Sequence, residues 1–290
     1  MLSDISTFFK TSTRNDNDVT NKVRENVLKI LCNPPKEYLE DKEFGESWRK
    51  VKEEWNKALK KLVDIEYTST QTKAKGGRHS HYDADIQYYN GQTLVANRKI
   101  EFKNGGSMIG DQPQFLSLPV KFGLFAETYD IFWYNNYLDT YLACDAEITE
   151  PKPPIGDYLK HVTKIKPATT FFQQLKTREL ILKKEKNAIV NKSITDYLTT
   201  YGNTINTGAF TEKVKESQSE KNYLMWCNGT FSIDKISEEE MSKISFHSIK
   251  NGNVLNLVSG NTIYGLLLRW RNHKGILNPA WQISMKRLIK

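Results

Sequence analysis

The sequence predicts a mixed α+β protein, and three observations carry that prediction. Two segments near the start space their apolar residues at helical steps. Residues 64–103 switch to the alternation of strands. The last 70 or so residues repeat short apolar runs separated by Asn-Gly and Gly turns. Helices, strands, helices, strands is the order of an α+β or mixed-sheet α/β fold.

Taken in order, a polar lead-in gives way to "DNDVTNKVRENVLKIL", with Val19, Val23, Val27, Ile30 and Leu31 three and four residues apart and Asp and Thr available as caps. This spacing predicts a helix over about 18–32. "CNPPKEYLEDKEFG" is a connection, because paired prolines stop one helix before the next. "ESWRKVKEEWNKALKKLV" places Trp48, Val51, Trp55, Ala58, Leu59 and Leu62 on one stripe and charges opposite, an amphipathic helix. Residues 64–103 then predict two or three antiparallel strands, with Asn90-Gly91 as a turn.

"GDQPQFLSLPVKFGLFA" is punctuated by prolines and has room for a short helix, and the apolar run "TYDIFWYNN" predicts a buried central strand. "EPKPPIGDY", residues 150–158, is the most linker-like stretch and the expected boundary. It divides a core over 1–150 from a part over 151–290, a candidate DNA-recognition region. That second part begins with the helical pattern "TFFQQLKTRELILKKEKNAIVNKSITDYL". Strands follow in "NYLMWCNGTFSI", "ISFHSIKNGNVLNLV", "NTIYGLLLRWRN" and "PAWQISMKRL".

A chain of 290 residues is long enough to bury a substantial core. Lys plus Arg number 42 against 34 Asp plus Glu, a formal charge of +8, which suits a polyanionic partner such as nucleic acid. Cys32, Cys144 and Cys227 are far apart and lack the spacing of a zinc site or disulfide framework, so they read as buried thiols in a reducing compartment. No signal-peptide pattern or membrane-length apolar run is present, so an intracellular protein of cytoplasm or nucleus is expected. No glycine-rich nucleotide loop is evident either.

The chemistry concentrates in "DADIQYYNGQTLVANRKIEFKNGG", residues 83–106. Residues two apart on a strand face one side, so Asp83 projects with Asp85, and Glu101 with Lys103. If the strands pair, three carboxylates and an amine can converge. Carboxylate oxygens are the hard ligands Mg²⁺ prefers, and a metal with an adjacent ammonium can activate water and stabilise charge on a phosphoryl group. Register is the obstacle. A tight two-residue turn at Asn90-Gly91 would pair Glu101 with Ser80 and leave Asp83 three positions away, so a bulge near "VANR" or a longer loop is required.

"DADI" followed by "RKIEFK" resembles the PD-(D/E)XK nuclease superfamily, over roughly residues 18–135. The resemblance implies a restriction-endonuclease-like core, a central mixed sheet flanked by helices, and a Mg²⁺-dependent DNA endonuclease of type II restriction kind, with Mn²⁺ able to substitute. Asp83 or Asp85 and Glu101 would ligate the metal with the Phe102 carbonyl, and Lys103 would orient the attacking water and steady the phosphate. Glu25 on the preceding helix and Gln114 on a following helix match the accessory positions. The pattern departs at its start, where Tyr82 and Ala84 rather than proline precede the aspartates. Cutting both strands of a symmetric site suits a homodimer.

Other readings compete with this one. Glu-x-Lys occurs by chance on many strands, and a nucleic-acid-binding protein that keeps the fold without turnover is the main alternative. "HSHYDAD" opens like a metallo-β-lactamase-like hydrolase, but Ile86 stands where that pattern wants His, and only His161, His247 and His273 follow. Arg78, His79 and His81 are then candidate nucleic-acid contacts or plain surface. "LLLRWRNHKGILNPAWQISMKRLIK" interleaves Arg269, Arg271, Lys274, Lys286 and Arg287 with Trp270 and Trp281, a mixture suited to phosphate contact, although core is the simpler role for the tryptophans.

Overall fold

The computed structural model describes residues 1–10, 17–74, 82–112, 114–162, 168–273 and 276–288. A 3-10 segment, Leu2–Phe9, precedes helices α1 (Asn17–Leu28), α2 (Lys36–Glu40) and α3 (Gly45–Lys61). Strands β1 (Ser69–Ala74), β2 (Ala84–Asn90), β3 (Thr93–Asn104) and β4 (Leu116–Pro119) follow. Next come α4 (Tyr129–Asn136), α5 (Leu138–Ala143), α6 (Ile155–His161), α7 (Thr170–Thr177), α8 (Lys183–Tyr201) and α9 (Thr207–Gln218). The chain ends with β5 (Lys221–Cys227), β6 (Thr230–Asp234), β7 (Ser245–Lys250), β8 (Val254–Ser259), β9 (Thr262–His273) and β10 (Ile276–Arg287). The class is α+β, with two five-stranded sheets, helices beside them and a β-rich C-terminal part.

Contacts divide the chain into two compact units, Met1–Gln112 with Val214–Glu238, and Pro113–Lys213 with Glu239–Lys290. The division therefore does not fall at residue 150, because β5 and β6 return to complete the sheet that β1–β3 begin. The linker-like stretch 150–158 runs straight into α6.

The first unit's sheet has the order β1-β2-β3-β5-β6. The first three strands form an antiparallel meander, β5 lies parallel to β3, and β6 is antiparallel to β5. One face carries Ile86, Ile100, Phe102, Leu224 and Trp226 into a core with Trp48, Val51, Trp55 and Leu59 of α3. Each such large apolar side chain contributes ~1.5–3 kcal/mol on burial. The α1 stripe is rotated from the expected one, since Arg24, Val27 and Leu28 are buried while Val19 is 69% exposed. Arg24 is satisfied by donating to the carbonyls of Thr7 and Lys10, which ties the N-terminal segment to α1.

The second unit's sheet is antiparallel throughout, in the order β4-β10-β9-β8-β7. "TYDIFWYNN" is helix α4 and not the strand expected. Tyr129, Phe132 and Trp133 are buried at i, i+3 and i+4, the spacing of one helix face, and Trp133 meets Trp270 edge to face with centroids 4.7 Å apart. The long basic helical pattern is broken over residues 178–182, between the end of α7 at Thr177 and Leu182, whose φ of 50° immediately precedes α8. Trp281 is buried, and Trp270 donates from Nε1 to the Tyr129 hydroxyl, so both tryptophans are structural. The three cysteines form no disulfide and are half-buried rather than fully buried. Among the described residues, no helix is long and apolar enough to cross a membrane.

Candidate active site

The β2–β3 hairpin solves the register problem in two steps. The chain turns at Gly91-Gln92 and not at Asn90-Gly91, pairing Asn90 with Thr93, and Gly91 takes the positive φ of 60° that a tight hairpin favours. One residue further on, Tyr89 pairs with Leu94 but Tyr88 with Ala96, so Val95 is bulged out. The displaced turn contributes two positions and the bulge one. Ala84 therefore lies opposite Ile100, where the paired register ends, and the Asp83 N–H just outside the strand donates to the Ile100 carbonyl at 2.8 Å.

Asp83, one residue before β2, thus lies beside Glu101, whose charge acts on it. Its Oδ2 accepts the Phe102 N–H at 2.9 Å, which fixes the carboxylate against the strand. Burial, followed by the charge of Glu101, pushes the Asp83 carboxyl above its ordinary value, while the Phe102 N–H and the ammoniums of Lys103 and Lys221 oppose the shift. Asp85 lies two residues deeper, buried and opposite Lys99. Of the two aspartates, Asp83 is the one that lies beside Glu101.

Glu101 is held between two cations. Lys103 of the same strand pairs with Oε1, and Lys221 at the start of β5 donates to Oε2 at 2.5 Å. Lys221 is absent from any reading of the hairpin alone. It arrives because β5 lies parallel to β3 and pairs Lys221 with Lys99 and Tyr223 with Glu101. The only local sign is a lysine opening the apolar run "KNYLMW". Tyr223 is buried beside the same group, its hydroxyl donating to Gln218; burial and then the Glu101 charge push it up.

Glu25 is not the solvated helix residue that α1 could have made it. It is half-buried, and burial followed by the charge of Asp83 raises its carboxyl, with Lys29, Lys22 and Lys103 opposing. Glu25, Lys29, Trp55, Thr72, Asp83 and Phe102 help to line one cleft of about 30 Å³, room for a water-sized group. Gln114 is not on a helix. It sits in an irregular segment before β4, in the second unit.

Several expected residues stand elsewhere or outside the described set. Arg78, His79, His81 and Lys274 lie outside the described residues, and of Arg271 only the backbone is described, in β9. Arg269 is exposed and donates to Gln282, whereas Arg287 is committed to an ion pair with Glu240 at 2.6 Å. His161 and His247 belong to the second unit and Asp85 to the first.

As arranged, no group of three or more His, Cys, Asp or Glu among the described residues forms a ready metal cage. The donor chemistry nevertheless suits a hard cation. Asp83 and Glu101 supply carboxylate oxygens beside one another, and because the N–H and carbonyl of one strand residue point to the same edge, the Phe102 carbonyl lies toward the edge where its N–H meets Asp83. Burial, and behind it the mutual repulsion of neighbouring carboxylates, raises the carboxyls of Asp83 and Glu25, and a divalent ion would offset the repulsive part. No protein-family signature, curated protein or solved structure matches the chain.

Proposed function

We propose that the protein is a Mg²⁺-dependent endonuclease that hydrolyses DNA phosphodiester bonds, of the type II restriction kind and of the PD-(D/E)XK superfamily it resembles. The observation that supports this most is the position of Asp83, bonded to the Phe102 N–H and beside Glu101, whose carboxylate pairs with Lys103. In this reading Asp83, Glu101 and the Phe102 carbonyl hold the ion and Glu25 contributes a further carboxylate at the cleft. When bound, Mg²⁺ supplies the Lewis acidity that makes water a nucleophile near neutral pH and offsets charge on the phosphoryl oxygens. Lys103, a quarter exposed, is free to turn from Glu101 toward the scissile phosphate, where its ammonium orients the water and steadies developing charge. DNA is the expected partner, with a homodimer cutting both strands.

A second reading, a DNA-binding protein without turnover, is favoured by one observation. Both oxygens of Glu101 are engaged by lysines, which is a self-neutralised arrangement. Plasmid and single-stranded DNA incubated with Mg²⁺, with EDTA and with Lys103→Ala separate the two. Discrete fragments that require Mg²⁺ and vanish in the variant are the expected result. Equal DNA binding by wild type and variant, with no cleavage of any substrate, overturns the nuclease reading in favour of the second.

A further inference from the structure

Glu101 is gripped by two lysines that differ in their freedom to leave. Lys103 is 25% exposed and sits on the same strand two residues on, so its ammonium can swing to solvent or to a phosphate. Lys221 is 6% exposed, enters from the neighbouring parallel strand, and places its ammonium 2.5 Å from Glu101 Oε2. A buried ammonium stripped of its carboxylate is strongly unfavourable, so this pair persists when ligands arrive. Exchange at Lys103 therefore opens Oε1, and Oε2 stays occupied.

Resting on the metal-dependent reading above, we propose that Lys221 Nζ holds the place of a second cation on Glu101, so that the site takes a single divalent ion. Two ions sharing a carboxylate would each need one of its oxygens. Here a fixed ammonium has taken one of them, and it supplies from the protein the charge that a second metal would bring. Lys221 is thus a positioning residue. It keeps Glu101 oriented with Oε1 on the Lys103 side and lowers the affinity of the site for the ion it does take, because like charges at this range repel.

The test is Mn²⁺ binding to the full chain without DNA, by titration calorimetry and by the electron paramagnetic resonance of free Mn²⁺. Wild type, Lys221→Met, Lys221→Arg and Glu101→Gln are compared. Wild type should bind one Mn²⁺ that Glu101→Gln abolishes. Lys221→Met should bind at least about tenfold more tightly or take a second ion, and Lys221→Arg, which keeps the charge, should resemble wild type. A purely structural lysine would not tighten metal binding when removed. Two Glu101-dependent ions in wild type overturn the inference, as does unchanged or weaker binding in Lys221→Met. If that variant fails to fold, Lys221→Gln carries the same comparison. No Glu101-dependent Mn²⁺ in wild type overturns the metal reading itself, a result distinct from the wrong stoichiometry.

Discussion

The Glu101–Lys221 pair makes a prediction about stability that needs no activity. Glu101→Gln keeps shape and removes charge, leaving the Lys221 ammonium, 6% exposed, with only an amide oxygen in place of a carboxylate. Neither partner reaches a third exposure, so solvent screening removes little of the effect, and loss of one member of such a pair costs ~3 kcal/mol. Lys221→Met should cost less, about 1–2 kcal/mol, because Glu101 retains Lys103 and is 14% exposed. The double variant removes both charges and fits an apolar chain between strands, so it should recover about half of the loss of Glu101→Gln or more, with a coupling of ~3 kcal/mol. Hydrogen exchange of β3 and β5 amides in metal-free protein reads the first unit separately from the second. Glu101→Gln should speed exchange there ~100-fold or more, and the double variant should restore protection. If the two single costs instead add in the double variant, the side chains are not coupled and the clamp described for Glu101 is refuted.

Two carboxyls whose ionisation the fold shifts in opposite directions give further outcomes. Asp83 is pushed above its ordinary value of 3.8, so ionising it costs the native state stability, a cost absent below 3.8 and complete above the raised value. Asp83→Asn should therefore gain on wild type in metal-free urea denaturation as pH rises through and above the carboxylate range, and a difference constant between pH 4 and 7 would contradict this. Asp145 in the second unit has the opposite sign. Arg178 and then Lys186, at 2.7 and 2.8 Å, hold its carboxyl well below the usual range despite burial. The stabilisation is present above its unfolded value and disappears as pH falls below 3.8 toward the lowered one. Asp145→Asn should destabilise the second unit at neutral pH by ~3 kcal/mol, since Lys186 is 4% exposed, and should flatten its acid transition; an unchanged urea midpoint at pH 7 would show that the trio contributes nothing.

Much of the first unit was legible from local spacing. Trp48, Val51, Trp55, Ala58 and Leu59 form the buried stripe of α3 that their periodicity predicts, and the alternation of residues 64–103 yields the antiparallel meander. Counting along the hairpin also calls for a bulge near "VANR" or a longer loop, and the structure has the bulge, at Val95. The turn position was not legible, since Asn90-Gly91 and Gly91-Gln92 are both acceptable locally and differ by two positions of register. The apolar run at 129–136 was misread because short apolar segments fit strand or helix equally, and only its neighbours in the folded chain select the helix. Arg24 took a place on the α1 stripe because two carbonyls of the N-terminal segment satisfy it, partners that lie 14 and 17 residues away.

By itself the sequence determined the α+β class, the amphipathic helix α3, the shared face of Glu101 and Lys103, and the candidacy of two aspartates, because each follows from a period of two or of 3.6 residues. Tertiary structure decided which aspartate meets Glu101, how close Glu25 comes to Asp83, and that Lys221 completes the cluster. The physical reason is that these placements depend on strand register and on a parallel crossover. Lys221 is 120 residues along the chain from its carboxylate, so only the folded chain brings the two together.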